Sequence, residues 1–228
     1  MTEQSGLAGT LAALASSLSD AGSFTETLDA IVHLAVGEIS ACDHAGVSLV
    51  RRDAIITAAA TDDLVRELDE YQYQTGQGPC MDAIREHETF HTDDLRAESR
   101  WPDFVARATG RGILSIAGFR LYAQEDELGA LNLYGDRPAA FDNDSLSIAT
   151  MFATHAAIAL KAAKTQGELE RGLQTRTVIG QGMGIIMATR QVSAAQAFDL
   201  LRQQSQNQNV KLAQLAQELV DRQPSDRG

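Results

Sequence analysis

Cys80 follows Gly78 and Pro79 in the stretch TGQGPCMDAIREHE, where a glycine-proline loop leads into a short helix. A thiol at a helix start faces the positive end of the helix dipole, which lowers its pKa and favours the nucleophilic thiolate. Redox chemistry there needs a resolving partner, and Cys42 is the one other cysteine. The competing reading is a small residue filling a tight loop. Phosphate chemistry finds less support. No Walker lysine follows TGQGPC, and GQGMG at residues 180–184 does not follow a strand-like run. His33, His44, His87, His91 and His155 show no metal-ligand spacing such as H-E-x-x-H. His155 lies in the apolar run IATMFATHAAIAL, the setting of a core histidine. No Ser–His–Asp set is evident. The residues therefore predict neither a catalytic centre nor a metal site, and they name no cofactor.

The elements that must carry these residues belong to a chain of 228 residues, enough for one large or two small domains. With 44% hydrophobic and 22% charged residues the composition is globular rather than disordered. The start MTEQSGLAGT lacks the basic and apolar regions of a secretion signal. The longest apolar region falls short of a membrane span, and two cysteines are too few for a disulfide framework. These features predict a cytoplasmic protein without membrane contact. Net charge is −12, unevenly spread: residues 1–165 hold 12 basic and 25 acidic side chains, residues 166–228 seven and six. If either part touches nucleic acid, the near-neutral tail is the better candidate.

Small and apolar residues at helical spacing predict a helix over residues 7–18. A second runs from Phe24 to Glu38, opened by Ser23 with Glu26 in a capping-box pattern. HAGVSLV and AIITAAA read as strands about a turn at Arg52–Asp53, and DDLVRELDEY as a helix. TFHTDDL is a further strand, WPDFVARATG a short helix, and GILSIAGFRLYA with LGALNLYG a hairpin about QEDE. The expected fold class is α+β, an antiparallel sheet with helices packed on one face. From Asn143 onward no strand signal returns, and no proline occurs between Pro138 and Pro224. One long helix is therefore expected over about 143–190, of a length that points to a coiled coil or dimer stalk.

After Arg190, Ser193 with Gln196 forms a second capping-box pattern. It opens a helix with Phe198 and Leu201 turned inward. Asn209 is read as the cap of a last helix whose apolar face is Leu212, Leu215, Ala216 and Leu219. Gly180, Gly182 and Gly184 interrupt the long helix, each at a cost of about 1 kcal/mol against alanine. Missing side chains there would let a neighbouring helix approach, with Phe198 against the gap.

Taken as a set, TGQGPCMDAIREHE, DDLRAESRWPDF and LGALNLYGDRPAAFDNDS resemble the GAF domains of actinobacterial regulators, over about Leu7 to Lys164. The tail resembles an ANTAR domain, an RNA-binding three-helix module of transcription antiterminators. That likeness rests on Arg176, Ile179, Gly180, Gln181, Gly184, Ile185 and Met187, then Ala197, Phe198, Leu201, Arg202, Ser205, Asn209, Lys211, Leu212 and Ala216. One departure stands out: the family pattern reads Q-A-K-G where this chain has Gln181, Gly182, Met183 and Gly184. Gly184 matches that pattern and is the expected packing glycine, whereas Gly182 stands where the pattern has alanine and is expected to loosen the helix.

The resemblance implies a GAF sensory domain at 1–164, joined by the long helix to an ANTAR RNA-binding bundle at 165–228. The implied protein is a homodimer that grips paired RNA hairpins in a nascent transcript and favours an antiterminator. Arg176, Gln181, Arg202, Ser205, Gln206, Asn209 and Lys211 are the RNA-binding candidates. RNA loops are read by stacking and hydrogen bonds, with basic groups on phosphates, which suits such a set. A small-molecule ligand of the GAF domain is expected near Thr75, Gly76, Gly78, Cys80 and Trp101. The rival reading is a ligand- or redox-sensing dimer whose tail serves dimerisation or protein binding; Met183 in place of the family's lysine favours it. A GAF-fold sulfoxide reductase using Cys80 is a third, opposed by the absence of an evident resolving pair.

Overall fold

The computed structural model describes residues 16, 18, 21–51, 54–86, 88–123 and 126–222. The chain divides into two compact units, residues 1–164 and 165–228. Of the helix expected over 7–18, only Ser16 and Leu18 are described, and both are helical. The turn at Arg52–Asp53, His87, and Gln124 and Glu125 of the QEDE turn lie outside the described residues.

Among the described residues of the first unit, α1 spans Phe24–Glu38, where the Ser23 hydroxyl accepts the Glu26 N–H. Strands β1, His44–Arg51, and β2, Ala54–Ala60, pair antiparallel. Helices α2, Asp63–Thr75, and α3, Pro79–Glu86, follow. Then come β3, Phe90–Thr92, a 3-10 turn at Leu95–Ala97, and α4, Pro102–Gly110. The hairpin β4, Ser115–Ala123, with β5, Asp126–Gly135, completes an antiparallel sheet in the order β2-β1-β5-β4-β3.

Strand alternation decides what each face buries. Ala45, Val47 and Leu49 of β1, Phe119 and Leu121 of β4, and Leu131 and Leu133 of β5 share one core with Leu28, Ile31, Val32 and Ala35 of α1. Ala149, Phe152, Ala156 and Leu160, from the start of the long helix, join that core. Ile116 and Tyr134 instead belong to a second core, with Val65 and Leu68 of α2 and Trp101, Phe104 and Ala108 around α4. Helices therefore cover both faces, not one. Strands buried on both sides lose the in-out alternation of a one-sided sheet, and GILSIAGFRLYA reads that way.

The long helix, α5, runs unbroken over Asn143–Arg190. It is long enough, and over one stretch apolar enough (mean hydropathy 1.4), to cross a membrane by length and composition, contrary to the expectation of a shortfall. Phe152, Ala156 and Leu160 of that helix are buried against the sheet.

In the second unit, α6, Ala194–Gln208, carries the complete Ser193–Gln196 capping box, and α7 spans Leu212–Asp221. Ile186, Ala197, Leu201, Leu215 and Ala216 form its core, with Ile179, Met183, Leu212 and Leu219 packed around them. Phe198 does not turn inward; it is 39% exposed, and Ala197 takes the buried position. Asn209 does not cap α7 either. At φ 52° it is the left-handed residue that ends α6, a conformation asparagine tolerates, and Lys211 precedes α7 with no side-chain cap. The packing glycine is Gly182, not Gly184. A Cβ on Gly182 would lie 2.9 Å from Cβ of Ala216, whereas Gly180 and Gly184 meet nothing within 4 Å.

Candidate functional site

Two strand glycines let helices descend onto the second face of the sheet. Gly46 of β1 leaves room for Val65 and the Asp69 carboxylate of α2, and Gly118 of β4 for the Pro79 carbonyl of α3. Between them stands Asn132 of β5, paired in register with both glycines. Ser48 of β1 lies opposite Thr57 of β2 on the same face. The result is a buried polar cluster drawn from two helices and three strands.

Asp69 sits at its centre, fully buried and with no ion pair among the described residues. Its Oδ1 accepts from the Tyr134 hydroxyl, from Asn132 Nδ2 at 3.0 Å and from Gln72 Nε2 at 3.4 Å. Its Oδ2 accepts from Thr57 Oγ1 at 3.1 Å. Tyr73 Oη lies 2.9 Å from Thr57 Oγ1 and 2.7 Å from Ser48 Oγ. Ser48 Oγ in turn accepts from Cys80 Sγ at 3.3 Å and Asn132 Nδ2 at 3.0 Å. Burial pushes the Asp69 carboxyl up to about 6, against the hydrogen bonds from Tyr134, Thr57 and Asn132 that favour its charge.

The expected ligand-loop residues lie around this cluster, mostly as its frame. Thr75 donates to the Tyr71 carbonyl at 2.8 Å, and Gly76 ends α2 at φ 65°. Gly78 packs on the Gln72 side chain. The indole of Trp101 is buried, donates to Asp82 Oδ2 at 2.7 Å and carries the Arg100 guanidinium 4.3 Å above its ring. Cys80 does begin a helix, but burial outweighs the helix dipole and pushes its thiol up to about 12 rather than down. Burial does the same to Cys42, which packs in the core on the opposite face of the sheet. The polar centre was missed from sequence: Ser48, Thr57, Asp69, Gln72, Asn132 and Tyr134. Its one signal was Asp69 and Gln72 falling on the stripe of Val65 and Leu68 that α2 buries.

In the second unit, Arg176, Gln181, Arg202, Gln206, Asn209 and Lys211 are exposed. Arg202 pairs with Asp199 at 3.2 Å, both half or more exposed. Ser205 is half-buried, and its hydroxyl donates to the Val210 carbonyl at 2.5 Å, bracing the turn between α6 and α7. Arg176 and Lys211 have no ion pair among the described residues. Gln181, Gly184, Ile185, Ala188 and Thr189 of α5 line a shallow groove with Val220 of α7. Met183, standing where the family pattern has lysine, is half-buried against the bundle core.

The antiparallel sheet and the helices on its two faces make up an α+β domain with a polar cluster sealed beneath two of those helices. The GAF domain family matches residues 21–161 and the ANTAR domain family residues 167–220. The chain therefore belongs to the GAF family and carries an ANTAR domain after it, the architecture of a GAF–ANTAR regulator. Among solved structures it is similar to the GAF domain of Acinetobacter phosphoenolpyruvate-protein phosphotransferase (14% identity, TM-score 0.55, covering 71% of this chain and 97% of that one). It is equally similar to the GAF domain of the Coxiella burnetii phosphotransferase (14%, TM-score 0.55, 72% and 97%). A third is free methionine-R-sulfoxide reductase from Neisseria meningitidis, in complex with its substrate (15%, TM-score 0.55, 70% and 91%). At these identities the likeness is one of fold. No curated protein matches the chain.

Proposed function

We propose that this protein is a cytoplasmic transcription antitermination regulator. Residues 165–228 bind paired RNA hairpins in nascent transcripts, and residues 1–164 sense the signal that controls them. The observation that carries the reading is the ANTAR match over the second unit, on a bundle that holds an exposed polar set outside a closed apolar core. Arg176 and Lys211 supply phosphate contacts, and Arg202, Gln206 and Gln181 supply stacking and base-edge hydrogen bonds. Ser205 and Asn209 shape the turn that presents Lys211. The buried thiols and the regulatory pairing of domains support a non-enzymatic role, and they weigh against both the thiol-redox and the sulfoxide-reductase readings.

Homodimerisation is part of the proposal. Leu169 and Leu173 lie one turn apart on α5 and are 64% and 54% exposed, in a helical segment with few buried neighbours. A second copy pairing along this segment would cover them and present two RNA-binding units to two hairpins. In vitro transcription through a terminator preceded by tandem hairpins tests the function. Added protein should raise read-through, and read-through indifferent to protein would remove the assignment.

A further inference from the structure

Asp69 is buried with no ion pair among the described residues, and its two oxygens are unequally served: three donors meet Oδ1, and among the described residues the Thr57 hydroxyl alone meets Oδ2. This fixes the direction of the hydroxyl chain behind it. Thr57 spends its one proton on Asp69, so Tyr73 must donate to Thr57, and Ser48 to Tyr73. Ser48 is left to accept from Cys80 and Asn132, as it does. Asn132 Oδ1 is buried with no hydrogen-bond partner.

We propose that Asp69 is a proton-binding site through which the first unit responds to acidification. The inference rests on that unit being the sensor and names the proton as its ligand. One proton from solvent binds Oδ2, the under-served oxygen, and neutralises the carboxylate. The acid then donates to Thr57, Thr57 to Tyr73, and Tyr73 to Ser48, so the chain reverses. The proton displaced at Ser48 needs an acceptor. Cys80 Sγ is in place, and Asn132 Oδ1 becomes available if the carboxamide turns. Donation to Cys80 ends the present bond from Cys80 to Ser48, whereas donation to a turned Asn132 ends the present bond from Asn132 Nδ2; by the first route a titration on α2 is felt on α3 through β1 and β2.

The charged and titratable groups facing Asp69 are Arg66 and Tyr73 from α2, Tyr134 from β5 and Cys80 from α3. Burial raises the two phenols and the thiol, so none of the three changes charge near neutrality, and arginine stays cationic. Unfolded aspartate titrates near 3.9. A folded value raised to about 6 means that the folded state binds more protons between these values. Stability therefore rises as pH falls through 6 and levels off below about 4.

The test follows the aspartate carboxyl carbons of the full-length protein by NMR from pH 7.5 to 4. One buried aspartate should titrate with a midpoint near 6. Asp69→Asn, which mimics the neutral acid by donating to Thr57, should lack that transition, and its melting temperature should lose the matching pH dependence. Should Asp69→Asn not fold, Thr57→Val serves in its place. It removes the Thr57 donor to Oδ2 and should raise the midpoint. Hairpin binding by the wild type should differ between pH 7.5 and 5.5, and the difference should vanish in either variant. A midpoint below 5, or hairpin binding identical at the two pH values, overturns the proposal. Absence of hairpin binding at every pH, with the titration intact, would instead remove the RNA-binding reading.

Discussion

Replacing Gly182 with alanine sets two local effects against each other. Alanine gains about 1 kcal/mol over glycine in a helix interior. The new Cβ, however, would stand 2.9 Å from Cβ and 3.1 Å from Cα of Ala216, and ordinary carbon contacts need at least 3.5 Å. The neighbouring atoms belong to the backbone and first carbon of α7, so no side chain can swing away. Relief requires moving α7 by several tenths of an ångström, and overpacking of this kind costs about 1–3 kcal/mol. The net is a destabilisation of about 1 kcal/mol. Gly180 and Gly184, with nothing within 4 Å, provide the controls. Their alanine variants keep only the propensity gain and should each be more stable by about 0.5–1 kcal/mol. Hydrogen exchange of amides in α7, measured in the full-length protein, isolates the second unit. Exchange there should quicken in Gly182→Ala and slow in Gly184→Ala. Equal or greater protection in Gly182→Ala would refute the close approach, and Gly182 would then be a loosening position after all.

The remaining expectations concern charge, thiol and assembly. With two cations per protomer assigned to phosphate, the slope of log affinity against log salt should be about −1.5 per protomer; a much steeper slope would mean that phosphate contacts have been undercounted. Cys80, with its thiol at about 12, should react with iodoacetamide at pH 8 at least about 100-fold more slowly than free cysteine. Fast alkylation of the folded protein would restore a redox role. Replacing Leu169 and Leu173 together with aspartate should shift the protein to monomer in sedimentation while leaving the circular dichroism of the first unit intact. An unchanged sedimentation coefficient would place the dimer contact elsewhere.

Local signals in the sequence translated well into elements. Ser23 and Ser193 each cap the helix that their spacing marks, and the proline-free run after Pro138 is one helix to Arg190. Tertiary contacts were harder to read. Ser48 and Asn132 look like ordinary strand polar residues until Gly46 and Gly118 bring two helices down beside them. Asp69 on an apolar stripe is a core position that hydrophobic periodicity scores as a defect. The family resemblance marked Gly184, but the helix that needs the space comes from about thirty residues later in the chain and meets Gly182. Asn209 carries the chemistry of an N-cap, and its left-handed backbone put it at the end of the preceding helix instead. For Cys80 the dipole argument was sound in sign, and full burial simply outweighs it.

The central claim is that the second unit grips looped-out nucleotides with its exposed polar side. Titrating the full-length protein into tandem-hairpin RNA at low salt tests it most directly, with Arg202→Ala and Lys211→Ala alongside. The account predicts saturable binding that weakens about 5- to 150-fold in each variant, the roughly 1–3 kcal/mol of a charge-assisted contact. Wild-type protein that leaves the hairpins unbound, or binding indifferent to both substitutions, would contradict it.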